Sequence, residues 1–294
     1  MRKALKWTGI VIGVVLGLIL IVAIGLYANT SIRINKVYTI QPESVTFPTD
    51  IASIEHGGRL AAIYCEGCHN EDSSGKTIFN NPPLGIINAL NLTPGKGGAG
   101  SEFSDDNWVL AVRHGINPEG KPLLVMPSKD LYNLSEADFG AIIAYLKSVP
   151  PVDKEWDDPT LTPLGKILVA AGAFGDIIDV ETIDHTGSRP VAPPEGVTVA
   201  YGEYLVKSVG CATCHGRKLT GGKDPNPAAP PAPDLTPGGK LSSWTDLDFI
   251  ETLRRGINPK EHKLSEYMPW KDLSHMTDDE LKAIWLYLQS LPAK

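Results

Sequence analysis

Between Trp7 and Ile32 the chain contains no Asp, Glu, Lys, Arg or His. As a helix, residues 7–28 reach ~33 Å, enough to cross the hydrocarbon core of a bilayer. Arg2, Lys3 and Lys6 precede this run. The positive-inside rule therefore keeps the N-terminus cytoplasmic and sends the remainder across. A cleaved signal peptide has a shorter apolar core and a small-x-small cleavage site, to which Ala23-Ile24-Gly25 is the nearest approach. The expectation is a retained single-pass anchor in the cytoplasmic membrane, inserted in the lipid bilayer through residues 7–28, with the rest on the periplasmic side. Within it Gly9, Gly13 and Gly17 recur every fourth residue, a stripe suited to close approach of a partner subunit's helix.

Beyond the anchor the apolar spacing becomes that of amphipathic helices, and it does so twice. Phe139, Ile142, Ile143 and Leu146 follow helical spacing, as do Leu281, Ile284, Trp285 and Leu288. Ser135-x-x-Asp138 and Thr277-x-x-Glu280 open these helices as capping boxes, and Pro150 and Pro292 stop them. A middle helix is expected near Asp105–His114 and again near Asp246–Arg255, closed by Gly115 and Gly256. No convincing hairpin or run of alternating strand residues stands out, so the expected class is all-α.

The duplication extends to sequence. Arg113-His114-Gly115-Ile116-Asn117-Pro118 returns as Arg254-Arg255-Gly256-Ile257-Asn258-Pro259, and Met126-Pro127-Ser128-Lys129-Asp130-Leu131 as Met268-Pro269-Trp270-Lys271-Asp272-Leu273. Asn91-Leu92-Thr93-Pro94-Gly95 matches Asp234-Leu235-Thr236-Pro237-Gly238. The expected organisation is an anchor (1–30), a polar periplasmic tether (31–50), a first domain (51–150), a connector (151–199) and a second domain (200–294). The connector's apolar run, residues 164–178, is interrupted by Lys166, Gly172 and Asp176. It is too short for a second span and reads as a short helix on a domain or partner surface.

Charge adds one exclusion. The formal net charge is −7, and three of the cations precede the anchor. An acidic body argues against nucleic acid and for basic partner patches.

The chain has four cysteines, all within Cys65-Glu66-Gly67-Cys68-His69 and Cys211-Ala212-Thr213-Cys214-His215. Cys-x-x-Cys-His is the attachment signature of c-type haem: two thiols bond the vinyl groups and the adjacent imidazole ligates iron. A redox dithiol would expect a βαβ context, and a structural zinc would expect cysteine pairs closer than the 146 positions between Cys65 and Cys211. Two covalently bound haem c groups are therefore expected, with His69 and His215 as proximal ligands. The chain has four methionines, and Met126 and Met268 occupy equivalent repeat positions 57 and 53 residues after those histidines. Each precedes proline, and each is expected as the second axial ligand. Met276 reads as packing, and His56, His185, His262 and His275 read as surface residues, with His262 or His275 able to replace the methionine in the second domain. Arg113 and Arg254 are candidate partners of the haem propionates. A carbonyl near Pro83, and one in the Pro230–Pro233 run, are candidate acceptors for the proximal imidazole proton.

On these motifs the chain resembles membrane-anchored class I cytochromes c. It is especially similar to the cytochrome c subunits of bacterial membrane-bound alcohol, aldehyde and gluconate dehydrogenases. The resemblance implies two tandem helical cytochrome c folds with His/Met ligation by His69/Met126 and His215/Met268. The function expected is a dihaem relay, not itself an enzyme, passing single electrons between donor and acceptor proteins as a subunit of a respiratory or photosynthetic membrane complex. The competing reading is a dihaem peroxidase or thiosulfate-oxidising enzyme, which needs one haem with an open or unusual ligand.

Overall fold

A computed structural model describes residues 2–223 and 228–293. The N-terminal helix α1 (Arg2–Asn35) runs about two turns past the expected span. From Leu5 to Ile24 its large apolar side chains stand exposed. Long and apolar enough to cross a membrane, α1 meets the body only at its C-terminal end.

The first repeat comprises α2 (Ile51–Tyr64), α3 (Glu66–His69), β1 (Lys76–Asn81), β2 (Gly85–Ala89), α4 (Ala99–Glu102), α5 (Asp105–His114), α6 (Ser128–Leu131) and α7 (Glu136–Ser148). The connector adds β3 (Thr160–Leu161) and α8 (Pro163–Ala170). The second repeat comprises α9 (Val199–Ser208), α10 (Cys211–His215), β4 (Thr220–Gly222), β5 (Ala232–Asp234), α11 (Asp246–Arg255), α12 (Trp270–Leu273) and α13 (Asp278–Ser290). The architecture is thus mostly helical. The class is as expected, but the absence of a hairpin is not: β1 and β2 form an antiparallel hairpin extended by β3, and β4 pairs with β5. They escape a sequence reading because β1 is polar and bulged, and the other strands are at most five residues long.

In each repeat the first and last helices cross, α2 on α7 and α9 on α13. A Cβ at Gly57 would lie 2.0 Å from the Ala141 carbonyl oxygen, and one at Gly202 would lie 1.9 Å from that of Ala283. Only glycine permits such an approach of helix backbones. The two crossings superimpose in sequence, since Gly202 stands to Gly57 as Ala283 does to Ala141. Replacing Gly57 by alanine is expected to push α2 off α7 and cost about 1–3 kcal/mol; denaturant unfolding of Gly57→Ala checks this.

The helix starts follow the expected chemistry with one instructive exception. Thr277 and Glu280 form a complete capping box on α13. On α7 Ser135 accepts from the Asp138 amide at 3.1 Å, but the Asp138 carboxylate turns away to His56 Nε2 (3.1 Å) and the Tyr204 hydroxyl of the second repeat. The reciprocal contact is Arg59 Nη1 on both oxygens of Glu280, each at 2.8 Å. Asp138 and Glu280 are repeat equivalents, and so are Arg59 and Tyr204, each two positions after its crossing glycine. The repeats thus pack about a pseudo-two-fold axis, and one apolar core runs through both.

Residues 36–50 and the connector both lie along the first repeat. Tyr38 N donates to Gly120 O at 2.8 Å, and Phe47 packs on Phe139. In the connector, Val152 O accepts from Asn91 Nδ2 at 2.7 Å and Trp156 Nε1 donates to Ser74 O at 2.8 Å. Helix α8 packs against the C-terminal turns of α1, where the Thr30 hydroxyl donates to Lys166 O at 2.7 Å and Arg33 pairs with Glu181 at 2.6 Å. The short connector helix therefore lies on α1 and braces its exit from the apolar stretch.

Candidate haem sites

Helix α2 ends at Tyr64, and Cys65 caps it with its amide on Ala61 O. The chain then makes one tight turn of α3, with His69 N on Cys65 O at 2.9 Å. This turn places Cys65, Cys68 and His69 on one wall of an apolar cavity, with Trp108, Met126 and Phe139 also among the residues lining it. Imidazole and thioether, far apart in sequence, therefore face the same space.

His69 is 9 % exposed, and its Nδ1 lies 2.8 Å from Leu90 O. A carbonyl only accepts, so Nδ1 carries the proton and Nε2 keeps its lone pair for iron. In the second repeat His215 Nδ1 lies 2.8 Å from Pro233 O, the same arrangement. Burial lowers the pKa of both imidazoles, opposed by these carbonyls. Pro233 lies in the expected run, but Leu90 replaces the carbonyl expected near Pro83. Pro83 O instead accepts from the Thr162 hydroxyl at 2.6 Å. The repeat register held the answer, since Leu90 and Pro233 each immediately precede the matching segments that begin at Asn91 and Asp234.

Burial pushes the thiols of Cys65 and Cys211 up to about 12. That is the reverse of a reactive redox dithiol, whose attacking thiol is lowered. Among the described residues no three His, Cys, Asp or Glu side chains converge to hold a metal ion. Both observations fit cysteines set for thioether attachment.

The methionine loops share one backbone. Pro127 has φ −80°, ψ 51°, and Pro269 has φ −78°, ψ 48°. Ser128 N donates to Met126 O and Trp270 N to Met268 O, each at 2.8 Å. In the first repeat the Ser128 hydroxyl ties the loop to Ala111 O at 3.0 Å. Val125, a β-branched residue at φ +67°, is held there by its amide on Ile177 O of the connector (3.0 Å). Strain of this kind persists only where the surroundings over-determine it, and here it orients the residue before Met126.

The cavity passes a further test of fit. Trp108 Nε1 is buried in its wall without a hydrogen-bond partner among the described residues, a donor left over for a carboxylate such as a haem propionate. The aligned residue in the second repeat, Phe249, has no such donor.

The arginines lie elsewhere. Arg113, fully buried, donates to Glu43 Oε1 at 2.9 Å and to the carbonyls of Leu134 (3.3 Å) and Ser135 (3.1 Å). Arg254 is held by Ser274 O and by Asp278 at 2.8 Å. Any pairing of either with propionates competes with these contacts. His185, expected at the surface, is half-buried and joins a polar cluster: its Nδ1 faces His114 Nδ1 at 2.8 Å, and its Nε2 faces Val180 O at 2.9 Å. His114 Nε2 in turn meets Glu43 Oε2 at 2.9 Å, and Arg189 Nε donates to Glu43 Oε1 at 2.6 Å. No pattern near Glu43 announces this cluster, because its members come from three separate segments.

Comparison with known proteins agrees with the geometry. Residues 199–292 match the cytochrome c family, and residues 52–146 match the family described as cytochrome c oxidase, cbb3-type, subunit III. The chain is 28 % identical over 274 residues to the gluconate 2-dehydrogenase cytochrome c subunit of Pantoea cypripedii, covering 83 % of this chain and 60 % of that protein. It is 26 % identical to the fructose dehydrogenase cytochrome subunit of Gluconobacter japonicus, covering 82 % and 53 %. It is also 26 % identical to the cytochrome c subunit of the quinone alcohol dehydrogenase of Komagataeibacter europaeus, covering 83 % and 57 %. The chain therefore spans little more than half the length of these relatives.

Proposed function

From a chain built of two cytochrome c domains, each carrying one covalent haem c, we propose a membrane-anchored relay. It moves single electrons between a donor and an acceptor on the periplasmic face of the cytoplasmic membrane. The observation that carries this reading is that His69 and Met126 line one apolar cavity, with Met268 at the equivalent place of the repeat that holds His215. When bound, the haem supplies an iron that cycles between ferrous and ferric. The protein's residues do the rest. Leu90 and Pro233 hold the imidazole tautomers, the methionine loops close the opposite faces, and the apolar wall of the first cavity excludes water. Met126 and Met268 would hold the iron together with His69 and His215, which would leave no open site for a substrate and would raise the potential.

The relatives' names point to a dehydrogenase as the donor, with this chain as its cytochrome subunit. Helix α1 supplies the anchor, because an apolar surface left exposed from Leu5 to Ile24 is the surface lipid covers. The glycine stripe on α1 is open, with nothing within 4 Å of a Cβ at Gly9, Gly13 or Gly17. Gly13→Ile is expected to release the protein from a mild-detergent complex; unchanged co-purification counts against helix packing there.

The deciding experiment is the ferric spectrum and electron paramagnetic resonance of the purified protein. Two low-spin His/Met haems support the relay. A high-spin component in the full-length protein overturns it in favour of a dihaem enzyme.

A further inference from the structure

The methionine loops carry a second shared feature, which the relay reading leaves unused. Four residues after each methionine stands an aspartate, Asp130 or Asp272, on the short helices α6 and α12. Neither is spent on its own domain's cavity. Asp130 crosses to the second domain, where Thr213 Oγ1 donates to its Oδ2 at 3.0 Å, and a Cβ on Gly210 would lie 2.3 Å from the same oxygen. Asp272 crosses to the first domain, where a Cβ on Gly67 would lie 2.3 Å from its Oδ2. Thr213 and Gly67 are the same position of the two motifs, the residue before the second cysteine. The contact is thus made twice, about the pseudo-two-fold axis that also relates Asp138–Tyr204 to Glu280–Arg59. Met268 itself lines the crevice beside Glu66, Gly67 and Asn70 of the first domain.

We propose that Asp130 and Asp272 are reciprocal positioning residues, each seating its own domain's methionine loop on the other domain's haem-attachment motif and so setting electron exchange between the two haems. This rests on the relay reading. The step is the passage of one electron from the ferrous iron of one domain to the ferric iron of the other, with no bond or proton moved. Stability does not account for the pair. Neither carboxylate is in an ion pair among the described residues. Burial pushes Asp130 up to about 6, against the Thr213 hydrogen bond, and raises Asp272 against Lys76, His275 and Lys271. An acid raised on folding binds its proton more tightly in the native state, so its stabilisation is present below the unfolded value and lost as pH rises through the folded one. At neutral pH both aspartates are a cost, twice incurred at equivalent positions.

The test uses the full-length dihaem protein with Asp130→Ala and Asp272→Ala combined. Iron–iron distance is read by pulsed paramagnetic resonance of the ferric protein, and interhaem exchange by equilibration after partial photoreduction. The expected result is a broadened distance distribution and exchange slowed on the order of tenfold, with both haems still low-spin. The Asp130→Asn, Asp272→Asn pair keeps the oxygen that accepts from Thr213, and is expected to retain the parent distance and rate while being more stable at pH 7. Should the alanine pair fail to accumulate, Gly67→Leu drives the same interface apart with both carboxylates intact. Parent distance and rate in the alanine pair, or in Gly67→Leu, overturn the proposal while leaving the relay standing. Absence of interhaem exchange in the parent protein overturns the relay itself.

Discussion

Glu43→Ala unfolds the first domain more readily than any other single surface-accessible change expected here, by about 3–5 kcal/mol. Glu43 lies outside the helical repeat, on the extended segment between α1 and α2. Its carboxylate accepts from Arg113, Arg189 and His114 together. Arg113 is fully buried, so removing its counter-ion strands a charge in an apolar surround, and that penalty exceeds anything the pair itself contributes. The carbonyls of Leu134 and Ser135 still accept from Arg113, which places the loss toward the lower end. The pH dependence carries a sign. Burial pushes the Glu43 carboxyl up, but hydrogen bonds from His114, Arg189 and Arg113 outweigh it and hold the group well below the usual carboxylate range. Its contribution is complete above the unfolded carboxylate pKa and is lost as pH falls toward the folded value. Acid titration of the parent below about pH 4 therefore shows a steeper fall in denaturation midpoint than titration of Glu43→Ala. Parallel curves would mean that Glu43 is screened by water and the cluster is ornamental to stability.

Met126→Leu is expected to convert one haem of two. Leucine keeps the volume and the apolar character of the cavity wall but has no lone pair for iron. Half of the low-spin His/Met signature should disappear, replaced by a high-spin or water-ligated form. The potential of that centre should fall by a sizeable part of the ~0.8 V range that axial ligands span. The second haem, for which His215 and Met268 are the proposed ligands, should titrate close to its parent value. Loss of the entire low-spin signal would place Met126 at a structural position shared by both domains. No spectral change would remove it from the ligand set, and His114, the other buried imidazole of that domain, is then the residue to mutate. The loop itself is expected to hold, since Ser128 and Ile177 fix its backbone independently of the thioether.

How much of this was legible beforehand follows from how local each determinant is. The attachment motifs, the capped final helices, the closing glycines at Gly115 and Gly256 and the anchor are short-range patterns: a few residues at fixed spacing are enough to impose each. The duplication made the methionines readable as well, because equivalence between copies substitutes for knowledge of contacts. It also encoded the Leu90 and Pro233 acceptors, although Pro83 was the carbonyl expected. The hairpin of β1 and β2 was missed because its strands are held by pairing with each other and with the connector, not by alternation of their own side chains.

Sequence alone determined that two covalent haem sites, each with its attachment histidine, sit in repeated helical units behind an apolar N-terminal segment, since every one of those features is written in spacing. Tertiary structure alone decided where the polar side chains spend their hydrogen bonds. Asp138 leaves its capping box for Tyr204, His185 turns inward to His114, Arg113 closes on Glu43, and Asp130 and Asp272 reach across to the opposite motif. A charged or hydrogen-bonding group is satisfied by whatever partner packing brings within about 3 Å, and that partner stands 66 to 83 residues away in the cases of Asp138, His114, Arg113 and Asp130.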